Sequence, residues 1–423
     1  MAAAPARSIG RSVSSTEKMN LQKASFRSTR KTAFLIIGIW LFQRCLTSLA
    51  ATAFSLLDPV TAIEKKLVLW PPARDFPAWL NRVFVAPWVR WDANWFKQIL
   101  TLGYKAGNGT TSFHPLYPLM SWPLYRLGLD PTLSLLITST IAALAFFGVF
   151  YLLAALERGP ATARTALLLL ATFPIAFILF APYSESLFLL WAALALYNMR
   201  RSRWELVAIF SFLAALTRQQ GIFLALPMAW WAWEASGKSL HGIKRAWRAW
   251  LTTLAAPAGL IAFTIYRIGY LHEGSFDFSN PQGLIYSALL SPSANAVIPG
   301  QAIRWPWDAF ALVISSAIHW PEINVMVNLI LGIGFLIAFI IAWKYMNIPD
   351  RLYSLAIILI SLSATTVDLA YVSLPRHLFL AIPVFIGLAA ALRKTWQKLL
   401  LLSLQIPVML FLLLICNFVQ WIP

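Results

Sequence analysis

Long apolar runs alternate with short basic segments along this chain, and the runs set the expected architecture. An α-helix needs roughly 20 apolar residues to cross a ~30 Å hydrocarbon core. The pattern predicts spans over 33–57, 132–156, 163–181, 184–199, 204–217, 221–235, 247–269, 323–343, 352–372, 376–392 and 398–421, eleven in all. The stretch 204–217 is short for a crossing and reads equally as half of a broken helix with 221–235. Basic residues gather at every second gap: Arg158 and Arg164; Arg200, Arg201 and Arg203; Lys238, Lys244, Arg245 and Arg248; Lys344 and Arg351; Arg393, Lys394 and Lys398. The positive-inside rule places those gaps and the N-terminus in the cytoplasm and the C-terminus outside. The expected fold is therefore all-α and polytopic, not a barrel of alternating strands.

Residues 1–31 are polar, Ser-rich and basic, the composition of a disordered cytoplasmic tail. Ala51-Thr52-Ala53 resembles a signal cleavage site, but the apolar segment from Ala33 to Leu57 is longer than a signal core and reads as an uncleaved anchor. Residues 32–423 form a single membrane domain, with two long outer segments at 58–131 and 270–322.

Composition narrows the class. Of 423 residues, 59% are hydrophobic and 12% charged, about half the charge of a soluble domain. The 20 tryptophans suit interfacial belts. The net charge of +18 does not point to nucleic acid, because the basic residues lie at helix ends and not in one patch. Cys45 and Cys416 both sit inside apolar runs and read as small hydrophobes, with no disulfide or metal site implied. The chain has no visible internal repeat and no Gly-rich phosphate loop.

With that topology, unusual polar residues collect near one level on the outer side. Asp92 and His114 fall in the first outer segment. Tyr183, Ser184 and Glu185 lie at the turn between spans three and four, and Arg218, Gln219 and Gln220 between spans five and six. Asp368, Arg376 and His377 fall at the ends of spans nine and ten. Polar groups this deep are costly unless they serve a pathway or a site. In WDANWFKQILTLGY, at 91–104, Trp91, Trp95, Ile99 and Leu102 share one helical face, widened by Phe96 and Leu100, while Lys97, Gln98 and Thr101 point away. That pattern predicts an amphipathic helix lying in the interface. Pro115, Pro118 and Pro123 predict an extended, rigid stretch over 113–123. Plainer roles compete: Asp92 as a helix N-cap, Glu185 as a turn residue, Arg218 and Arg376 as snorkelling cations, the histidines as simple hydrogen-bonding groups. Arg44, inside span one, reads as paired with a carboxylate or as a substrate contact. Asn108-Gly109-Thr110 is a glycosylation sequon, of use in a eukaryotic host.

RWDANWF followed by GY and FHPLYPL resembles the first luminal loop of the PIG-V type mannosyltransferases, of the GT-C class of membrane glycosyltransferases. TFPIAFILFAPYSESLFLLWAALALY, LAALTRQQGIFL, LPRHLFLAIPVF and the closing CNFVQWIP resemble further blocks of that family, in order, over nearly the whole chain after residue 33. The resemblance implies an inverting transfer of a sugar, usually mannose, from a polyprenyl-phosphate-linked donor to a lipid or glycan hydroxyl on the non-cytoplasmic side. It implies Asp92 as catalytic base. Asn94-Trp95-Phe96 and His114 depart from the eukaryotic pattern and imply a prokaryotic relative, hence the bacterial plasma membrane before the endoplasmic reticulum.

Chemistry at these residues fits that expectation. A departing phosphate needs cationic partners, and Arg218, Arg376 and His377 are the candidates. Asp92 would take the acceptor's proton. Trp91, His114, Tyr183, Ser184, Glu185 and Gln219 would bind substrate. No cofactor or metal is expected, since the first outer segment offers one acid in its motif where a divalent ion wants several. The expected partners are the lipid-linked donor, the acceptor and membrane lipids, without nucleic acid. A transporter or lipid flippase is the rival class; it would place polar groups near the bilayer midplane and show repeats.

Overall fold

The computed structural model describes residues 15–57, 78–80, 84–275, 278–279, 297, 300–319, 322–366, 371 and 373–417. Residues 1–14, Asp368 and the end of the CNFVQWIP block at 418–423 lie outside them. The chain opens with helix α1 (Ser15–Leu57), followed by α2 (Asp92–Leu102), α3 (Leu116–Arg126) and α4 (Pro131–Ala171). Next come α5 (Glu185–Met199), α6 (Trp204–Thr217), α7 (Ala225–Ala235), α8 (Trp247–Thr252) and α9 (Ala255–Ile265). The last third holds α10 (Pro306–His319), α11 (Ile323–Trp343), α12 (Ile348–Ser363), α13 (Leu374–Leu378), α14 (Pro383–Ala391) and α15 (Thr395–Asn417).

Among the described residues, five helices are long and apolar enough to cross a membrane: Arg30–Phe54, Pro131–Ala171, Trp247–Tyr270, Ile323–Trp343 and Thr395–Cys416. Two shorter helices, Glu185–Met199 and Trp204–Thr217, are also apolar. The protein is a multi-pass membrane protein. Helix α4 is interrupted where the sequence places a cytoplasmic gap: Gly159 takes φ 80, ψ 165, a left-handed conformation that glycine adopts without strain, and Pro160 follows.

At the centre stands α5. It is apolar on all sides, which is the signature of a helix surrounded by protein, and it packs between α4 and α6. Helix α6 packs in turn on α9, α14 on α4 and α11, and α1 on α4 and α15. Beyond the C-terminus of α5, Arg200 bonds both Glu157, at 2.6 Å, and Asp350 at the start of α12. One guanidinium thereby ties together the break in α4, the end of α5 and the first turn of α12. A two-residue antiparallel pair, Ala302–Ile303 with Ala364–Thr365, fastens the segment before α10 to the end of α12.

The structure corrects several expectations. The helix predicted over 163–181 stops at Ala171, because Pro174 follows closely and disfavours helical geometry before it. Residues 172–184 continue as a buried, irregular segment with a 3-10 turn at Ala176–Phe180. Buried backbone without a helix needs other partners, and α1 supplies them. Gln43 Nε2 donates to Ala176 O at 3.1 Å and Arg44 Nη1 to Phe180 O at 3.1 Å. Arg44 also lies over the Trp88 and Phe180 rings. It thus serves backbone carbonyls and aromatic faces, with no carboxylate partner among the described residues.

The stretch expected to be extended over 113–123 is largely helical, as α3. Pro118 falls in its first turn, where no intrahelical donor is needed, and Pro123 removes one bond without ending the helix. Helix α2 buries Ala93, Phe96, Lys97, Ile99 and Leu100, while Leu102 is 74% exposed. Phe96, Ile99 and Leu100 of the apolar stripe read in the sequence thus face inward, while Leu102 at its end does not. Packing of Phe96 on Phe113 and Tyr117 sets that face, and Lys97 goes in with it. Burial lowers the Lys97 ammonium to about 8.

Candidate active site

Four elements bring charged side chains to one point. Asp92 is the first residue of α2. The N-cap position belongs to Trp91, and no side chain caps the helix, so the N-cap role is excluded. Instead Asp92 Oδ2 accepts from Arg376 Nη2 at 2.5 Å, across 284 residues of chain. Glu185 is the first residue of α5, where the free N–H ends of a helix favour a carboxylate. Its Oε1 accepts from Arg376 Nε and, at 2.6 Å, from Arg218 Nη1. Arg218 Nη1 also donates to Ser184 Oγ at 3.1 Å. The result is a ladder of alternating sign, Asp92–Arg376–Glu185–Arg218, with no net charge.

Local sequence places each member. Arg218 sits at the break between α6 and the 3-10 turn Gln219–Leu224, in extended backbone with φ −153, ψ 146. That turn folds back on α6 so closely that a Cβ on Gly221 would lie 2.3 Å from Ala215 N. Gly221→Ala is accordingly expected to cost about 1–3 kcal/mol or more by overpacking, read as a lowered thermal midpoint in detergent; an unchanged midpoint would show that the turn relaxes freely. Arg376 rides on the five-residue helix α13, entered through Ser373 at φ 60, ψ 36. Trp91, before Asp92, has φ 50. Non-glycine residues in such conformations cost about 1–3 kcal/mol each and gather at functional sites. Here two of the five such residues described flank the ladder.

The cluster is nearly dry: Glu185 is 0% exposed, Arg376 4% and Asp92 8%. Arg218 is its most open member. The Tyr183 ring lies under Arg376, with the guanidinium carbon 4.6 Å from the centroid, and its hydroxyl donates to Arg90 O at 3.3 Å. Glu185 Oε2 and Arg218 Nε are buried without a partner among the described residues. An orphan acceptor and an orphan donor in one cluster are groups that a water or a ligand would satisfy.

His114 is anchored elsewhere. Its Nδ1–H donates to Ala215 O at 2.7 Å, near the end of α6, and its ring packs on Phe263. Burial pushes its imidazole down to about 3, helped by the Arg218 and Arg267 charges, so it is neutral at physiological pH. Beside it opens an apolar cavity of about 500 Å³ whose walls include Leu100, Pro118, Trp122, Leu216 and Phe263. Gln219 and His377 are half-buried neighbours of Arg218 and Arg376. Among the described residues no three His, Cys, Asp or Glu side chains converge as metal ligands. Sequence reading missed Asn328, a buried amide within α11 whose Oδ1 accepts from Leu374 N. Its signal was a second asparagine, one turn after Asn324, inside an apolar run.

No family model matches the sequence, and no curated protein matches it. The resemblance to the PIG-V type enzymes therefore rests on the quoted motifs alone. Among solved structures, the chain is similar to ArnT from Cupriavidus metallidurans bound to undecaprenyl phosphate: TM-score 0.41, 13% identity, 74% of this chain and 56% of that one. It is also similar to the Archaeoglobus fulgidus oligosaccharyltransferase tethered with an acceptor peptide: TM-score 0.42, 12% identity, 89% of this chain and 55% of that one. The chain spans little more than half the length of either. Similarity of this order fixes neither substrate nor activity.

Proposed function

We propose that this chain is an inverting glycosyltransferase, most simply a mannosyltransferase, acting on the non-cytoplasmic side of the membrane. It moves a sugar from a polyprenyl-phosphate-linked donor to a hydroxyl of a lipid or glycan acceptor. The observation that carries this function is the Asp92–Arg376–Glu185–Arg218 ladder, a base and two guanidiniums in one dry site. Support also comes from the motif resemblance and from the basic residues at alternate gaps, which favour an eleven-span topology with a cytoplasmic N-terminus.

Each part has a task. The apolar cavity beside His114 suits the isoprenoid tail. Arg218, the open guanidinium with an uncommitted Nε, receives the donor phosphate and holds it as it leaves. Tyr183 and Glu185 border the sugar. The acceptor oxygen attacks the anomeric carbon from the face opposite the phosphate. As that bond forms, the carbon–oxygen bond to phosphate breaks, the acceptor proton passes to Asp92, and polyprenyl phosphate departs. Arg376 holds Asp92 in place until then.

The test is transfer in proteoliposomes from radiolabelled polyprenyl-phosphate mannose. Donor consumption with formation of a labelled lipid or glycan, dependent on the protein, is the expected result. A donor that is never consumed with lipid or glycan acceptors, or label that only crosses the bilayer unchanged, would overturn the assignment in favour of a transporter.

A further inference from the structure

We propose that Asn328 is the positioning residue of this site: its side-chain oxygen fixes the turn that aims Arg376 at Asp92 and Glu185. The assignment of its role in activity rests on the proposed sugar transfer; its role in geometry does not.

Arg376 has no long helix to hold it. Helix α13 has five residues, and the one before it, Ser373, is in the left-handed region. A helix this short has no internal partners for its first N–H groups. The Leu374 N–H is buried, and Asn328 Oδ1 accepts from it at 2.8 Å. The orientation of that amide is set by its surroundings. Nδ2 lies 2.9 Å from Asn324 O, which can only accept, so the oxygen must face Leu374. Nδ2 also donates to Asn324 Oδ1 at 2.9 Å. One turn along α11, Gly332 lets Leu374 come close: a Cβ there would lie 2.7 Å from Leu374 Cδ2. Helix α11 thus offers Leu374 an acceptor and a recess at once. Two residues later, Arg376 engages its two carboxylates through different nitrogens, Nε and Nη2. Such two-sided engagement fails if the turn shifts by about 1 Å, a displacement that can cost 10²-fold in rate.

Asn328→Leu keeps the volume and removes the acceptor; Asn328→Asp, as the neutral acid in this buried site, keeps an oxygen facing Leu374 and turns its O–H to Asn324 O. Two readouts are needed. The first is independent of activity: phenylglyoxal labelling of arginines in the detergent-solubilised full chain, followed by mass spectrometry of the Arg376 peptide. The second is kcat and donor KM in proteoliposomes. Asn328→Leu is expected to expose Arg376 to phenylglyoxal and to lower kcat by about 10- to 100-fold, with donor KM changed much less. Asn328→Asp is expected to restore protection and most of kcat. Arg376 remaining as protected as in wild type in a folded Asn328→Leu would overturn the proposal. So would Asn328→Asp behaving like the leucine variant. If Asn328→Leu does not fold, Asn328→Thr, whose hydroxyl is too short to reach Leu374, carries the same comparison. Should wild type transfer no sugar, the labelling still decides the positioning role.

Discussion

Arg376→Leu should destabilise the fold by about 3–5 kcal/mol, the cost of breaking a buried ion pair by removing one partner. The guanidinium lies between two buried carboxylates, Asp92 and Glu185, and its own exposure is 4%. Without it, Asp92 has lost its described cationic partner and Glu185 keeps Arg218 alone. Midpoints of thermal unfolding in detergent, with size-exclusion profiles, measure the loss. The double variant Arg376→Leu, Glu185→Leu should recover part of it, because one of the stranded charges goes too. Arg376→Lys should fall between, since an ammonium cannot reach both carboxylates as the fork of Nε and Nη2 does. A wild-type midpoint for Arg376→Leu would mean that water fills the cluster and screens it.

Asp92→Asn is the second large effect, and it lies in rate. The amide keeps the shape of the side chain and can still accept from Arg376, so folding should survive. What disappears is a base, and general-base assistance contributes on the order of 10²–10⁴-fold. Sugar transfer should fall by that factor with the thermal midpoint close to wild type. Equal activity of the two proteins would remove Asp92 from the chemistry and leave it a structural partner of Arg376. A collapse of the midpoint alongside the rate would make the charge structural first.

What the sequence disclosed and what it withheld follow one physical line. Residues that break periodicity were visible: Gly159 and Pro160 where α4 bends, Thr217 to Gly221 where α6 ends, the acids and arginines out of place in apolar surroundings. Asp92, Glu185, Arg218 and Arg376 lie far apart in sequence and still meet, because each occupies a helix end or break. Features set by neighbours were not visible. The buried face of α2 depends on Phe96 meeting Phe113 and Tyr117, not on a stripe facing lipid. Arg44 found carbonyls because the segment after Ala171 leaves the helix. Asp92 as N-cap and Asp92 as ion-pair partner look alike in a string of letters, and only the 284-residue contact with Arg376 separates them.

Helix α5 carries Glu185 at one end and leads to Arg200 at the other, so it joins two buried charge clusters. Fifteen residues at 1.5 Å of rise make about 22 Å. That is shorter than the ~30 Å of hydrocarbon in an undeformed bilayer. The two clusters cannot both sit at its surfaces. Where α5 crosses such a bilayer, at least one would be sunk beneath the plane where lipid phosphates lie, kept from the acyl chains by the helices around α5. A substrate that is itself a membrane lipid would then reach its site by moving sideways and slightly inward, rather than by being lifted into water.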